Sequence, residues 1–129
     1  MTTTSSTIGI SDIRTVGIPV ADQGRALTFY RGVLGFETTM DSPFPGGRWI
    51  EVAPPGATTT IALAAAQEGT TAGVDTGVRF TTADAAADHA ALSAAGVDVD
   101  DEVLRFDGVP PMFSFRDPDG NTLYVVEQS

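Results

Sequence analysis

The sequence contains no cysteine, no lysine and a single histidine, His89. The first absence removes disulfides, thiolate zinc sites and thiol nucleophiles. The second removes Schiff-base chemistry and any P-loop lysine. One histidine leaves one place to build a catalytic triad and forbids a multi-histidine metal centre within one chain. Basic charge is scarce too: seven arginines (14, 25, 31, 48, 79, 105 and 116) stand against 17 acids, a net charge of -10. That balance repels phosphate backbones and anionic lipid surfaces, so neither nucleic acid nor membrane is an expected partner. The Thr/Ser-rich start, 1–7, has neither positive charge nor an apolar run, so no signal or transmembrane span is read and a cytoplasmic location is expected.

What is present suits one compact domain: 129 residues, 42% of them hydrophobic. After an N-terminal tail, 1–11, a single domain is expected over 12–129, with module one at 12–66 and module two at 76–127. In module one, Ile13, Val16, Ile18 and Val20 predict a strand, and Asp22 suits a helix N-cap. The helix runs to about Leu34 and Gly35 closes it. Strands are then predicted over 36–40, 48–52 and 58–64, with 43–47 read as a breaker. The order repeats after a Gly/Thr-rich connection: strand 76–81, helix 83–95 with Gly96 as its cap, then strands 97–103, 112–115 and 122–127. Asp117-Pro118-Asp119-Gly120 joins the last two as a turn. Gly35 and Gly96 close helices at an offset of 61, and Gly56 and Gly120 close turns at an offset of 64. The fold class is therefore α+β: two tandem βαβββ modules pairing into a cupped mixed sheet, with helices on the outer face.

Strand alternation assigns two faces. Val16, Ile18, Val20, Ile50, Val52, Ile61, Leu63, Val78, Phe80, Leu123 and Val125 belong under the helices. The opposite face carries Thr15, Gly17, Trp49, Glu51, Thr60, Ala62, Gly77, Arg79 and Tyr124, small residues with a few large polar or aromatic ones. A wall so poor in charge suits a ligand cavity or a subunit contact. Trp49, Glu51, Arg79, Phe113, Phe115 and Tyr124 are the candidate ligand-binding residues. Phe113 and Phe115 read two ways: the offset of 64 aligns them with Trp49 and Glu51 in the cavity, whereas hydrophobicity buries them under the second helix. Arg79 is expected either to pair with Glu51 or to clamp an anionic group. Asp98, Asp100, Asp101 and Glu102 read as a solvated strand edge, and His89 as a packing or surface residue.

Phe29-Tyr30-Arg31-Gly32-Val33-Leu34-Gly35-Phe36, the segment from Arg48 through Glu51 to Gly56, and Phe115-Arg116-Asp117-Pro118-Asp119-Gly120-Asn121 together resemble the vicinal oxygen chelate superfamily, the glyoxalase, bleomycin-resistance and extradiol-dioxygenase group. The resemblance runs from Ile13 to Glu127 and implies paired βαβββ units, commonly in a homodimer. In metal-using members of the group, His and Glu ligands point into the cup from the first and last strand of each module. The matching positions here are Thr15, Thr60 or Ala62, Gly77 and Tyr124, none a usual ligand, so no metal, no cofactor and no catalytic residue is expected. The resemblance then implies a metal-independent binder that sequesters an aromatic or drug-like small molecule. The alternative is a lyase, isomerase or dioxygenase of the same group, using a displaced metal on Glu51, Glu127 and one or more groups of a partner chain, or acid–base chemistry of Glu51 with Tyr124.

Overall fold

The computed structural model describes residues 8–67 and 70–128. The first seven residues of the expected tail, and part of the expected Gly/Thr-rich connection, lie outside the described residues. The chain is α+β, with a four-stranded and a five-stranded sheet, one from each module. In module one, β1 (Thr15–Val20) leads through helix α1 (Gln23–Thr28) to β2 (Glu37–Phe44), β3 (Gly47–Ala53) and β4 (Thr60–Ala65), in sheet order β1-β4-β3-β2. Asp22 caps α1 as its composition predicts, its side chain accepting the Arg25 N–H at 3.0 Å. The helix continues over Phe29–Val33 as a wider π-type turn before Gly35 ends it at φ +75°. Module two repeats the plan: β5 (Asp75–Thr82), α2 (Ala85–Ala94), β6 (Asp98–Val99), β7 (Leu104–Phe106), β8 (Val109–Arg116) and β9 (Thr122–Glu127). Its central order is β5-β9-β8-β6, with β7 also on β8.

Two expectations change. The breaker at 43–47 shrinks to a tight hairpin because β2 is a border strand, where Pro43 costs no ladder bond, and Phe44 pairs with Gly47. Pro19 occupies the other border strand, β1, for the same reason. The strand expected over 97–103 is cut to β6, and β7 begins only at Leu104. The Asp100 amide still bonds the Ser114 carbonyl and its carboxylate takes the Ser114 amide and hydroxyl, but the chain bends at Asp101 and Glu102.

The two sheets share one core made of their helix-side faces. Ile18, Val20, Ile50, Val52, Ile61 and Leu63 of the first meet Phe113, Phe115, Leu123 and Val125 of the second, with Ala26, Phe29 and Tyr30 between them. Phe29 lies 6.4 Å from Phe115, and Phe36 lies 5.3 Å edge-on to Phe80. Polar bridges fix this docking. Tyr30, fully buried, donates its hydroxyl to Asp117 at 2.9 Å, and Asn121 Nδ2 donates to the Pro19 carbonyl at 2.8 Å. Asp117 and Asn121 are buried, and the Asp117 carboxylate also takes the Asp119 and Asn121 amides. Burial first, then the Asp117 charge, pushes the Tyr30 hydroxyl far above its usual range, so it stays a donor. The motifs around Tyr30 and Asp117 are thus the two halves of one clasp.

Candidate functional site

With both helix-side faces turned to the shared core, the opposite face of each sheet looks outward. Among the described residues, no hydrogen bond or ion pair joins those two outward faces.

On the first, alternation along β3 brings out Trp49 and Glu51. The Glu51 carboxylate is only 2% exposed. Its Oε2 accepts the Trp49 indole N–H at 2.7 Å and an Arg14 N–H at 3.3 Å, while Oε1 accepts the Thr60 hydroxyl at 2.8 Å. The indole bond, with those from Thr60 and Arg14, holds the Glu51 carboxyl below the ordinary carboxylate range despite its burial. Glu51 is therefore an ionised anchor that fixes the indole, and Trp49 keeps 38% of its surface open. The expected partner Arg79 is replaced by Arg14, which stands just before β1 and reaches Glu51 because Thr15 pairs with Thr60.

The second outward face carries a row across β5, β9 and β8: Arg79 beside Tyr124, and Tyr124 beside Ser114. The Arg79 guanidinium carbon sits 4.3 Å from the centre of the Tyr124 ring, and one N–H donates to the Gly77 carbonyl at 2.8 Å. The Tyr124 hydroxyl donates to Asp75 at 2.8 Å, a bond that raises its proton affinity. Gly77, at φ +71°, forms the irregularity in β5 between the paired positions Asp75 and Arg79. Ser114 is tied to Asp100, which also accepts from Arg116, and Arg116 pairs with Asp98 at 3.0 Å. Burial pushes Asp100 up, but the Ser114 and Arg116 bonds outweigh it and leave its carboxyl low.

Several expectations are corrected by these contacts. Phe113 and Phe115 are 0% and 1% exposed in the core, not on the outward face. The reason is register: Tyr124 pairs with Ser114, as Ala62 pairs with Glu51, so Ser114 is the counterpart of Glu51 and the offset is 63. A slip of one residue moves every side chain to the other face. The acidic run is not wholly solvated, since Asp98 and Asp100 are bonded to Arg116. Glu127 accepts the Ala85 amide at 3.0 Å at the start of α2, on the helix side, so it does not meet Glu51. Glu51 and Tyr124 stand on separate sheets, and a carboxyl held low is not tuned as a base for neutral pH. His89 packs as expected, Nε2 2.6 Å from the Asp100 carbonyl and its ring edge-on to Phe113. Arg14, Asp75 and Ser114 escape the sequence reading as site residues, since only strand register reveals them; alternation places Thr60 on the outward face, but not as the partner of Glu51.

The residues at the metal positions implied by the resemblance do not fit an ion. The Thr15 hydroxyl is spent on the Thr60 carbonyl at 3.2 Å, Ala62 and Gly77 offer no donor, and Tyr124 is engaged by Asp75. Among the described residues, no three of His, Cys, Asp and Glu cluster as a metal site, and no helix is long and apolar enough to cross a membrane.

A groove of about 750 Å³ opens beside the unpaired borders of β1 and β5, lined by Val16, Ile61, Gly77, Val78, Arg79 and Phe80.

Comparison with known proteins agrees with this architecture. TnmS3, an antibiotic binding protein from Streptomyces sp. CB03234, is 34% identical, with 95% of this chain and 99% of that one covered at a TM-score of 0.83. A glyoxalase/bleomycin resistance protein/dioxygenase superfamily member from Sphaerobacter thermophilus DSM 20745 is 33% identical, covering 92% and 98% at a TM-score of 0.86. A 55-residue stretch is 40% identical to the uncharacterized protein YetH of Bacillus subtilis (strain 168), spanning 42% of this chain and 46% of that protein. The family model for the Glyoxalase/Bleomycin resistance protein/Dioxygenase superfamily matches residues 12–125. With that match over two tandem βαβββ modules, the chain belongs to the glyoxalase/bleomycin resistance protein/dioxygenase superfamily.

Proposed function

We propose that this protein sequesters a small aromatic or drug-like molecule without metal or catalysis, and does so as a homodimer. The observation that carries the reading is Trp49: a half-open indole pinned by a buried, saturated carboxylate, on a sheet face whose metal-equivalent positions hold no suitable donor. A large aromatic face fixed in advance binds a planar ligand at low entropic cost. The outward face of module two complements it with the Arg79–Tyr124 stack. Because the two faces of one chain turn away from each other, a closed groove calls for module one of one protomer against module two of its partner. Side chains beside the β1 and β5 borders would make that contact, since Pro19 and the Gly77 kink spoil both edges for strand addition. TnmS3 supports the ligand class by likeness. The proposed compartment is the cytoplasm, where a chain without disulfides loses nothing to reduction.

The test is a calorimetric and melting-temperature screen of planar aromatics, including antibiotics, after exhaustive chelation and again with added divalent metals. The reading expects saturable binding that is unchanged by metal and weakened at least tenfold by Trp49→Ala, with a sedimentation mass of two chains. Binding that requires metal, turnover of the ligand, or a monomer that binds fully would each overturn it.

A further inference from the structure

Arg79 is set apart from the arginines that hold this fold together. Arg14, Arg25, Arg48 and Arg116 all reach carboxylates within 3.3 Å. Arg79, like Arg31 and Arg105, has no ion pair among the described residues, although the chain has 17 acids for seven arginines; of these three, Arg79 is the one whose guanidinium is held in place. The acid on its own strand, Asp75, is taken by the Tyr124 hydroxyl. One guanidinium N–H goes to the Gly77 carbonyl and the plane rests on the Tyr124 ring, which fixes the group while leaving the rest of its donor fork unspent. On the other sheet Glu51 is buried and its oxygens are occupied, so it is closed to a ligand cation. On the outward face of module two, Arg116 is already held by Asp98 and Asp100, so the Arg79 fork is the guanidinium left without a carboxylate there among the described residues.

We infer that the planar ligand carries an anionic oxygen group, a carboxylate or its equivalent, and that Arg79 is the residue that selects for it. The inference rests on the groove reading above. Ring and anion would be read by different elements: Trp49 takes the aromatic body, and the Arg79 fork takes two oxygens in parallel, a geometry lysine does not reproduce. Asp75 acts as a positioning residue, because its bond to Tyr124 holds the ring on which the guanidinium lies.

The experiment titrates the intact protein with 2-naphthoate, neutral 2-naphthamide and cationic 2-(aminomethyl)naphthalene by calorimetry, following Trp49, the chain's single tryptophan, in parallel. The expected order is naphthoate tightest, by about tenfold over the amide, with the cation weakest. Arg79→Gln is expected to erase the preference for naphthoate and leave amide affinity within about twofold. Arg79→Lys should recover only part of it. Tyr124→Phe, which keeps the ring under Arg79 but releases it from Asp75, should narrow the same preference with the melting temperature unchanged. Equal binding of naphthoate and naphthamide, or a preference that survives Arg79→Gln, overturns the inference and leaves the groove standing. Failure of all three probes to bind or to perturb Trp49 overturns the groove reading itself, and this inference with it.

Discussion

Tyr30→Phe removes a single hydroxyl and tests how the modules are joined. The ring still fills its volume against Phe29 at 5.3 Å and Phe36 at 6.1 Å, so packing is kept and only the bond to Asp117 is lost. Asp117 retains its two backbone amides and Asn121 Nδ2 at 3.0 Å, so three of its four bonds survive. A hydrogen bond to a charged, buried acceptor contributes about 1.5–3 kcal/mol, a melting temperature lower by roughly 5–10 °C in a chain of this size. Asp117→Ala goes further. It strands the Tyr30 hydroxyl, two amides and the Asn121 side chain, and should cost about 4 kcal/mol or more. Urea denaturation at two protein concentrations, to separate folding from association, gives both values. A Tyr30→Phe cost below about 0.5 kcal/mol, or a double variant whose costs simply add, would refute the clasp as the link between modules.

Glu51, with its carboxyl held low chiefly by the Trp49 indole, contributes stability that is complete above the ordinary carboxylate range and is lost as pH falls through its depressed value. Glu51→Gln should therefore flatten the acid limb of the stability–pH curve below the ordinary carboxylate range, read from urea midpoints. The Thr38 hydroxyl is buried without a hydrogen-bond partner among the described residues, on the core side opposite Val52, so Thr38→Val should raise stability by about 1 kcal/mol in the same assay. Gly77→Ala meets open space but must hold φ +71°, and should cost about 1–2 kcal/mol and loosen the Arg79–Tyr124 stack, measured by melting temperature and ligand calorimetry.

Much of the architecture was legible because each module writes its periods plainly. Asp22 before an apolar helical run, glycine after it, and alternating strands beyond located both βαβββ units, and the helix-side residues from Val16 to Val125 fell on the core face. Strand register was not legible. Aligning the modules on Gly56 and Gly120 gave an offset one residue too long, because the two turns differ in length relative to their strands, and that put Phe113 and Phe115 on the wrong face. Their hydrophobicity was the better guide. Partner choice was equally hidden: Arg14 reaches Glu51 only through the pairing of Thr15 with Thr60, which no local pattern announces. The face that looked outward could be read from the chain; which of its charges were already spent could not.

Proline stands in both outermost strands of the first sheet, Pro19 in β1 and Pro43 in β2, and a glycine kink interrupts the outermost strand of the second at Gly77. A ring without an N–H leaves a gap in the row of donors that a newcomer strand would zip onto, and a kink spoils its alignment. Growth into an endless ribbon is thereby blocked on three flanks. The homodimer proposed above would then have to form through side chains meeting side chains, a contact that closes on itself rather than growing into a fibre.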